Sequence, residues 1–245
     1  MTLHCAFIGF GKSTTRYHLP YVLHRKDRWQ VAHIYRRRAK PEEQAPQYSH
    51  IHFTSDLEEV LNDPLVKLVV VCTHADSHFE YAKKALEAGK NVLVEKPFTP
   101  TLEEAKTLFA LANSKGLTVT PYQNRRFDSC FLTTKKVIES GKLGELVEIE
   151  SHFDNYRPLA ETNPGGPQNG EFYGLGVHTL DQIISLFGRP DHVSYDLRSL
   201  RNKANPDDTF EAQLFYGDLK AIVKTSHLVK IDYPKLSFTG TKVRL

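Results

Sequence analysis

Three short stretches combine residue types and spacings that can do chemistry. The first is "IGFGKST", at residues 8–14. Gly9 and Gly11 occupy the first two positions of a G-x-G-x-x-G turn, and Thr14 stands at the third. The first glycine permits a tight turn, and the second lets a diphosphate approach the backbone. The helix that follows offers free N–H groups and the positive end of its dipole. The loop residues Gly9, Phe10, Gly11, Lys12, Ser13 and Thr14 are therefore candidate nucleotide contacts. A hydroxyl at Thr14, beside Ser13, is placed to bond a phosphate oxygen. The second stretch is "VLVEKP" at 92–97, where Lys96 ends an apolar run. A lysine at the carboxyl edge of an open sheet can hydrogen-bond a substrate hydroxyl and stabilise charge developing on its oxygen. The third is "GLGVHTLDQ" at 174–182. An imidazole titrates near neutrality, so His178 can take a hydroxyl proton, and Asp181 three residues on shares its helical face.

A dinucleotide fold needs a group at the end of its second strand to read the adenosine ribose. Here that strand ends "IYRRR", with Arg36, Arg37 and Arg38 and no carboxylate. A guanidinium there suits a 2′-phosphate by charge and fork geometry, which favours NADP and leaves NAD as the alternative. A solvated basic turn is the plainer explanation.

Other polar groups cluster near strand ends. Thr73 and His74 follow a β-branched run, and His78 opens the next helix. The four-residue spacing of His74 and His78 also suits a metal, but no third ligand stands nearby and no metal is expected. Cys72 ends the same apolar run without a base beside it, so it is no nucleophile. His50 and His52 flank a short strand and read as structural.

The elements that must position these groups fall into two halves. Apolar runs at 4–11, 29–35, 67–72, 91–95 and 117–122 alternate with helical patterns. Those patterns have readable ends. Ser55 and Glu58 stand at capping-box spacing, as do Thr101 and Glu104, and Gly89, Gly116 and Gly188 follow helices. Strand and helix in this rhythm give a parallel sheet covered on both faces. After residue 122 the runs at 146–156, 193–200, 210–216 and 220–228 alternate instead. They point to an open, mostly antiparallel sheet with helices on one side. The stretch 157–170, rich in Pro, Gly and Asn, reads as a long functional loop. The expected architecture is α/β: a dinucleotide-binding domain over 1–122 and an α+β domain over 123–245.

Composition sets outer limits. The 245 residues are 40% apolar and 25% charged, values of an ordinary folded protein. Lysine and arginine number 32 against 29 acidic residues, a net charge of +3. So small a charge gives no reason to expect nucleic-acid binding. No apolar run has membrane length and no leader pattern opens the chain. Three cysteines without metal spacing read as reduced thiols, so a cytoplasmic protein is expected.

The motifs "GFGKST", "VLVEKP" and "GLGVHTLDQ", in this order, resemble the Gfo/Idh/MocA family of NAD(P)-dependent oxidoreductases, and the similarity runs from residue 3 to about 240. The resemblance implies a Rossmann domain followed by a substrate domain whose open sheet often forms dimers, and a sugar, polyol or related small-molecule substrate. It makes Lys96 the catalytic lysine, with Glu95 positioning it or the nicotinamide end of the cofactor. It places the catalytic histidine at His178. By the same resemblance Cys72, Thr73, His74 and His78 lie against the cofactor. Asn124 and Arg125 fall in the segment at the edge of the substrate site, with Asn124 on the cofactor side. Tyr156, Arg157 and Tyr173 are candidate substrate contacts. The family commonly carries Asp four residues before its histidine, where this chain has Gly174; Tyr173, Tyr156 or Asp181 are the expected compensations. That departure motivates a second reading, an NADP-sensing regulatory protein of the same fold without activity. Members of the family run further at the carboxyl end, so the second domain is expected to be incomplete.

Overall fold

The computed structural model describes residues 2–160, 162 and 165–242. Two compact units divide between Tyr122 and Gln123.

The first unit is built on β1 (Leu3–Ile8), β2 (Trp29–Tyr35), β3 (His52–Thr54), β4 (Val66–Val71), β5 (Asn91–Val94) and β6 (Val119–Pro121). All pairings are parallel, in the order β3-β2-β1-β4-β5-β6. That order reverses direction between β1 and β4, the crevice where doubly wound sheets take ligands. The apolar runs are continuous because both faces are covered. Ala6, Ile8, Val69, Val71, Val92 and Val94 pack on one side. Cys5, Phe7, Val70 and the less buried Leu68 and Leu93 pack on the other. Each fully buried aliphatic side chain of this kind contributes about 1.5–3 kcal/mol.

The helices are α1 (Leu19–His24), α2 (Leu57–Asn62), α3 (His78–Glu87) and α4 (Leu102–Ser114). Thr101 caps α4 with the expected reciprocal box to Glu104. The start of α2 differs from expectation: Asp56, not Ser55, accepts the backbone N–H of Glu58 at 2.9 Å. A carboxylate one residue later reaches the same donor with favourable charge at the helix start. Gly89 and Gly116 take the positive φ that helix ends favour.

The second unit holds β7 (Leu146–His152), β8 (His192–Arg198), β9 (Thr209–Tyr216), β10 (Leu219–Ser226) and β11 (Leu236–Gly240), ordered β11-β7-β10-β9-β8. Only β7 and β10 run parallel, so the sheet is mixed and mostly antiparallel. Helices α5 (Ser129–Glu139) and α6 (Val177–Phe187) sit with the core side. Val137, Ile138, Leu180 and Ile183 meet Ile149, Phe210, Leu214 and Val223. The other face carries ion pairs of Lys220 with Glu148 and of Lys224 with Glu150 and Glu211. Every residue of the edge strand β8 is exposed, including the apolar Val193, Tyr195 and Leu197. The loop at 157–170 contains a 3₁₀ turn at Pro167–Asn169, and its residues 161, 163 and 164 lie outside the described set. So do 243–245 of the terminal stretch.

Candidate functional site

The glycine turn sits where β1 delivers it. Gly9 has φ +110°, and a Cβ there would come 2.5 Å from the carbonyl oxygen of Cys72. Glycine alone lets the turn pack against the end of β4. Gly11 is different: a Cβ there would meet nothing within 4 Å. It borders a cleft of about 820 Å³ at the carboxyl ends of β1, β2 and β4. The cleft is lined by Gly9 to Ser13, by Tyr35 to Arg38 with Lys40, and by Cys72, Thr73, His74 and Ser77. The helical run that begins at Lys12 presents its first-turn N–H groups at that end. Open space over Gly11, a helix start and a cationic rim fit a dinucleotide diphosphate.

Several expected contacts are placed differently. Thr14 is fully buried and its hydroxyl donates to the Gly9 carbonyl at 2.8 Å. It pins the turn, because a hydroxyl at the third motif position has no route to the cleft. Arg36 lines the cleft, but its fork grips Glu43 through Nε and Nη2 at 2.8 and 3.0 Å. The 3₁₀ turn Pro41–Gln44 brings that carboxylate back. Burial works against the Glu43 charge, but Arg36 and the Lys40 backbone N–H hold its carboxyl below the usual range. Arg37 and Arg38 remain exposed on the rim. His78 is 1% exposed, its Nδ1 2.8 Å from the Pro97 carbonyl and Nε2 3.1 Å from the Thr73 carbonyl. It ties two loops together and is withdrawn from the cleft. Burial pushes the Cys72 thiol up to about 12, so it is inert. Among the described residues no group of three or more His, Cys, Asp or Glu side chains could hold a metal ion.

Lys96 stands two residues past the end of β5, half-buried, and a cis peptide joins it to Pro97. Its backbone N–H donates to the Glu95 carboxylate at 3.1 Å. Glu95 also receives the Ser13 hydroxyl at 2.5 Å and lies 2.9 Å from His18 Nε2. Burial opposes the Glu95 charge, but His18, Ser13 and the Lys96 N–H together hold its carboxyl below the usual range. Ser13 thus links the glycine turn to the residue before Lys96. The histidine was not legible in the sequence: His18 lies 77 residues from its partner.

In the second unit His178 is buried in the first turn of α6. It lines a cavity of about 20 Å³ with Arg125, His152, Phe153, Gln182 and Lys235. That is room for about one water. Gln182 donates to the Arg125 carbonyl at 2.7 Å, and the Arg125 guanidinium lies 5.3 Å from the Phe153 ring. Asp181 is engaged elsewhere: both its oxygens accept from Arg126 at 2.7 Å. It is therefore no substitute for a carboxylate at position 174. Asn124 opens a 3₁₀ turn that ends at Phe127. Tyr156 is exposed and bridges Leu228, and Arg157 donates its backbone N–H to the His227 carbonyl at 2.8 Å. Tyr173 lies within the π-helical turn Phe172–Gly176 that precedes α6.

His152 supplies a pH test of this unit. The Asp154 carboxylate, 3.0 Å from Nδ1, raises the imidazole above its ordinary value against the opposing effect of burial. A raised folded pKa stabilises fully below the unfolded value of about 6.5, and the contribution is lost as pH rises through the folded pKa. Native protein should therefore lose more stability than His152→Gln between about pH 6 and pH 9 in denaturant titrations. Parallel losses would contradict the pairing.

Comparison with known proteins bears on the fold of both units. The Gfo/Idh/MocA description "Oxidoreductase family, NAD-binding Rossmann fold" covers residues 3–123. The companion C-terminal alpha/beta domain covers 135–245. The uncharacterized oxidoreductase YhhX of Escherichia coli (strain K12) is 86% identical over 99% of this chain and 70% of its own length. The crystal structure of a probable oxidoreductase yhhX superposes with a TM-score of 0.96, at 86% identity, covering 98% of this chain and 70% of that one. The scyllo-inositol 2-dehydrogenase (NADP(+)) IolW of Bacillus subtilis (strain 168) is 34% identical over 98% of this chain and 67% of its own length. The chain spans 55% to 70% of the length of these and other strongly matching relatives.

Proposed function

Because the chain belongs to the Gfo/Idh/MocA oxidoreductase family, we propose that it moves a hydride between NADP and a carbinol or carbonyl carbon of a sugar, polyol or related molecule. The observation that carries this is the cleft over Gly11, open where a diphosphate needs backbone approach and rimmed by arginines. Gly9 to Ser13 would hold the diphosphate, and Thr73 and His74 would line its other side. The bound cofactor supplies the hydride acceptor in oxidation and the donor in reduction. Lys96 donates a hydrogen bond to the substrate oxygen and stabilises the charge that grows there as the hydride leaves. His178 takes the hydroxyl proton in oxidation and returns it in reduction. The two side chains belong to different units, and each is assigned on its own surroundings.

The similarity to an NADP-named scyllo-inositol dehydrogenase supports both the cofactor and the polyol class. The rim supports the cofactor as well, since Arg37 and Arg38 are exposed there and Arg36 is anchored by Glu43. Arg37→Ala should weaken NADP binding about 10- to 100-fold, the size of a lost charge-assisted contact, and leave NAD unchanged. Calorimetric titration with each dinucleotide checks this, and equal losses for both would contradict the 2′-phosphate assignment. The same reading pairs two copies through the open sheet face. Turnover is tested by following reduced nicotinamide absorbance with NADP and a panel of inositols, hexitols and aldoses. Reduction of NADP with at least one of them is expected. Dinucleotide binding without any turnover would favour the silent, sensing form of the fold.

A further inference from the structure

Position 174 has no side chain of its own, yet the space beside it is filled. A Cβ on Gly174 would come 3.1 Å from Glu171 Oε2. The Glu171 carboxylate therefore reaches along the π-helical turn into the volume that a side chain at 174 would take. Its other oxygen lies 3.3 Å from His227 Nε2. The His227 side chain is 4% exposed, whereas that of Glu171 keeps 27%. Burial and the Arg201 and Arg157 cations hold the His227 imidazole below its ordinary value, against the pull of Asp208. An imidazole N–H behind a carboxylate orients it by hydrogen bonding. The backbone is fixed as well. Glu171 N–H donates to the Asp207 carbonyl at 3.0 Å and Phe172 N–H to the Asp207 carboxylate at 2.7 Å. From this anchored start the chain runs through the π-helical turn into α6, whose second residue is His178. Glu171, Gly174 and His178 thus stand on successive turns of one helical run.

We propose that Glu171 is the substrate-binding carboxylate of the second unit, accepting a hydrogen bond from a hydroxyl adjacent to the carbinol that His178 deprotonates. Gly174 is the vacancy that admits it, and His227 is a positioning residue acting through it. The ligand class is a molecule with neighbouring hydroxyls, such as a cyclic polyol. The inference rests on the dehydrogenase reading above.

The test uses the full chain with NADP and the panel of inositols and hexitols, each variant being assayed on the member the native chain turns over fastest. Glu171→Gln should lower kcat/KM about 10- to 100-fold, mainly through KM, the size of a lost hydrogen bond to a charged group. Its calorimetric NADP affinity should match the native value. The double variant Glu171→Ala, Gly174→Asp should recover most of the loss, because it returns a carboxylate to the same volume. If the contact with His227 were purely structural, Glu171→Gln would instead lower thermal stability and leave KM unmoved. Native kcat/KM in Glu171→Gln would overturn the inference alone. If Glu171→Gln fails to fold, the double variant decides: recovery supports the assignment, and a folded double variant with KM raised as far as in Glu171→Ala overturns it. A native chain that turns over no panel member overturns the dehydrogenase reading and this inference with it.

Discussion

Lys96→Ala should lower turnover about a thousandfold while NADP affinity stays at its native value. The expectation follows from where the lysine stands and from what its neighbours do. β5 ends at Val94, and the next two residues leave the sheet at its carboxyl edge. The Glu95 carboxylate caps the Lys96 N–H and is itself gripped by Ser13 and His18, so the backbone direction at Lys96 is fixed. An ammonium placed beside a developing alkoxide is worth about 10²- to 10⁴-fold in rate, by the scale of oxyanion donors and general acids. Little of that energy concerns dinucleotide binding, which on the proposed assignment the glycine turn and the arginine rim would supply. Steady-state rates and calorimetry on the same preparation check the split. Full activity in Lys96→Ala would remove the lysine from the chemistry and return the protein to the sensing reading.

Gly9→Ala should cost the first unit about 3 kcal/mol or more, lowering its melting temperature by about 10 °C. Two effects add. The φ of +110° is a region that L side chains rarely adopt, and the new Cβ would come 2.5 Å from the Cys72 carbonyl oxygen. Backbone atoms at the end of β4 are held in the sheet and cannot give way cheaply, since Cys72 N–H already donates to the Ile8 carbonyl at 2.8 Å. Thermal unfolding of the variant is the check, and an unchanged midpoint would show that the turn relaxes around the methyl group.

Much of the fold was legible because parallel strands buried on both faces must be apolar throughout, as "VKLVVV" is. The capping box at Thr101 and the glycine helix ends could be read locally for the same reason: cause and consequence lie within a turn. The site was only partly readable. Gly9 is fixed by the turn it makes, but the partners of the charged groups come from tertiary approach. Arg36 looked available because nothing in "IYRRR" announces that Glu43 folds back onto it. Thr14 looked outward until the buried turn claimed its hydroxyl. Asp181 looked like a spare carboxylate until Arg126 met it across the second unit. Glu171 went unnoticed because only its approach to Gly174 gives it meaning. The alternating run of β8 promised a covered face, and its edge position leaves that face exposed.

The central claim is that a dinucleotide diphosphate lies against the backbone at Gly11. Titration calorimetry of NADP into the native chain and into Gly11→Val tests it directly, since a Cβ there meets nothing within 4 Å and the variant should keep the fold. The account predicts saturable heat with the native chain, and none with an equally well-folded Gly11→Val. Native-like binding by Gly11→Val, or no heat with the native chain, would contradict it.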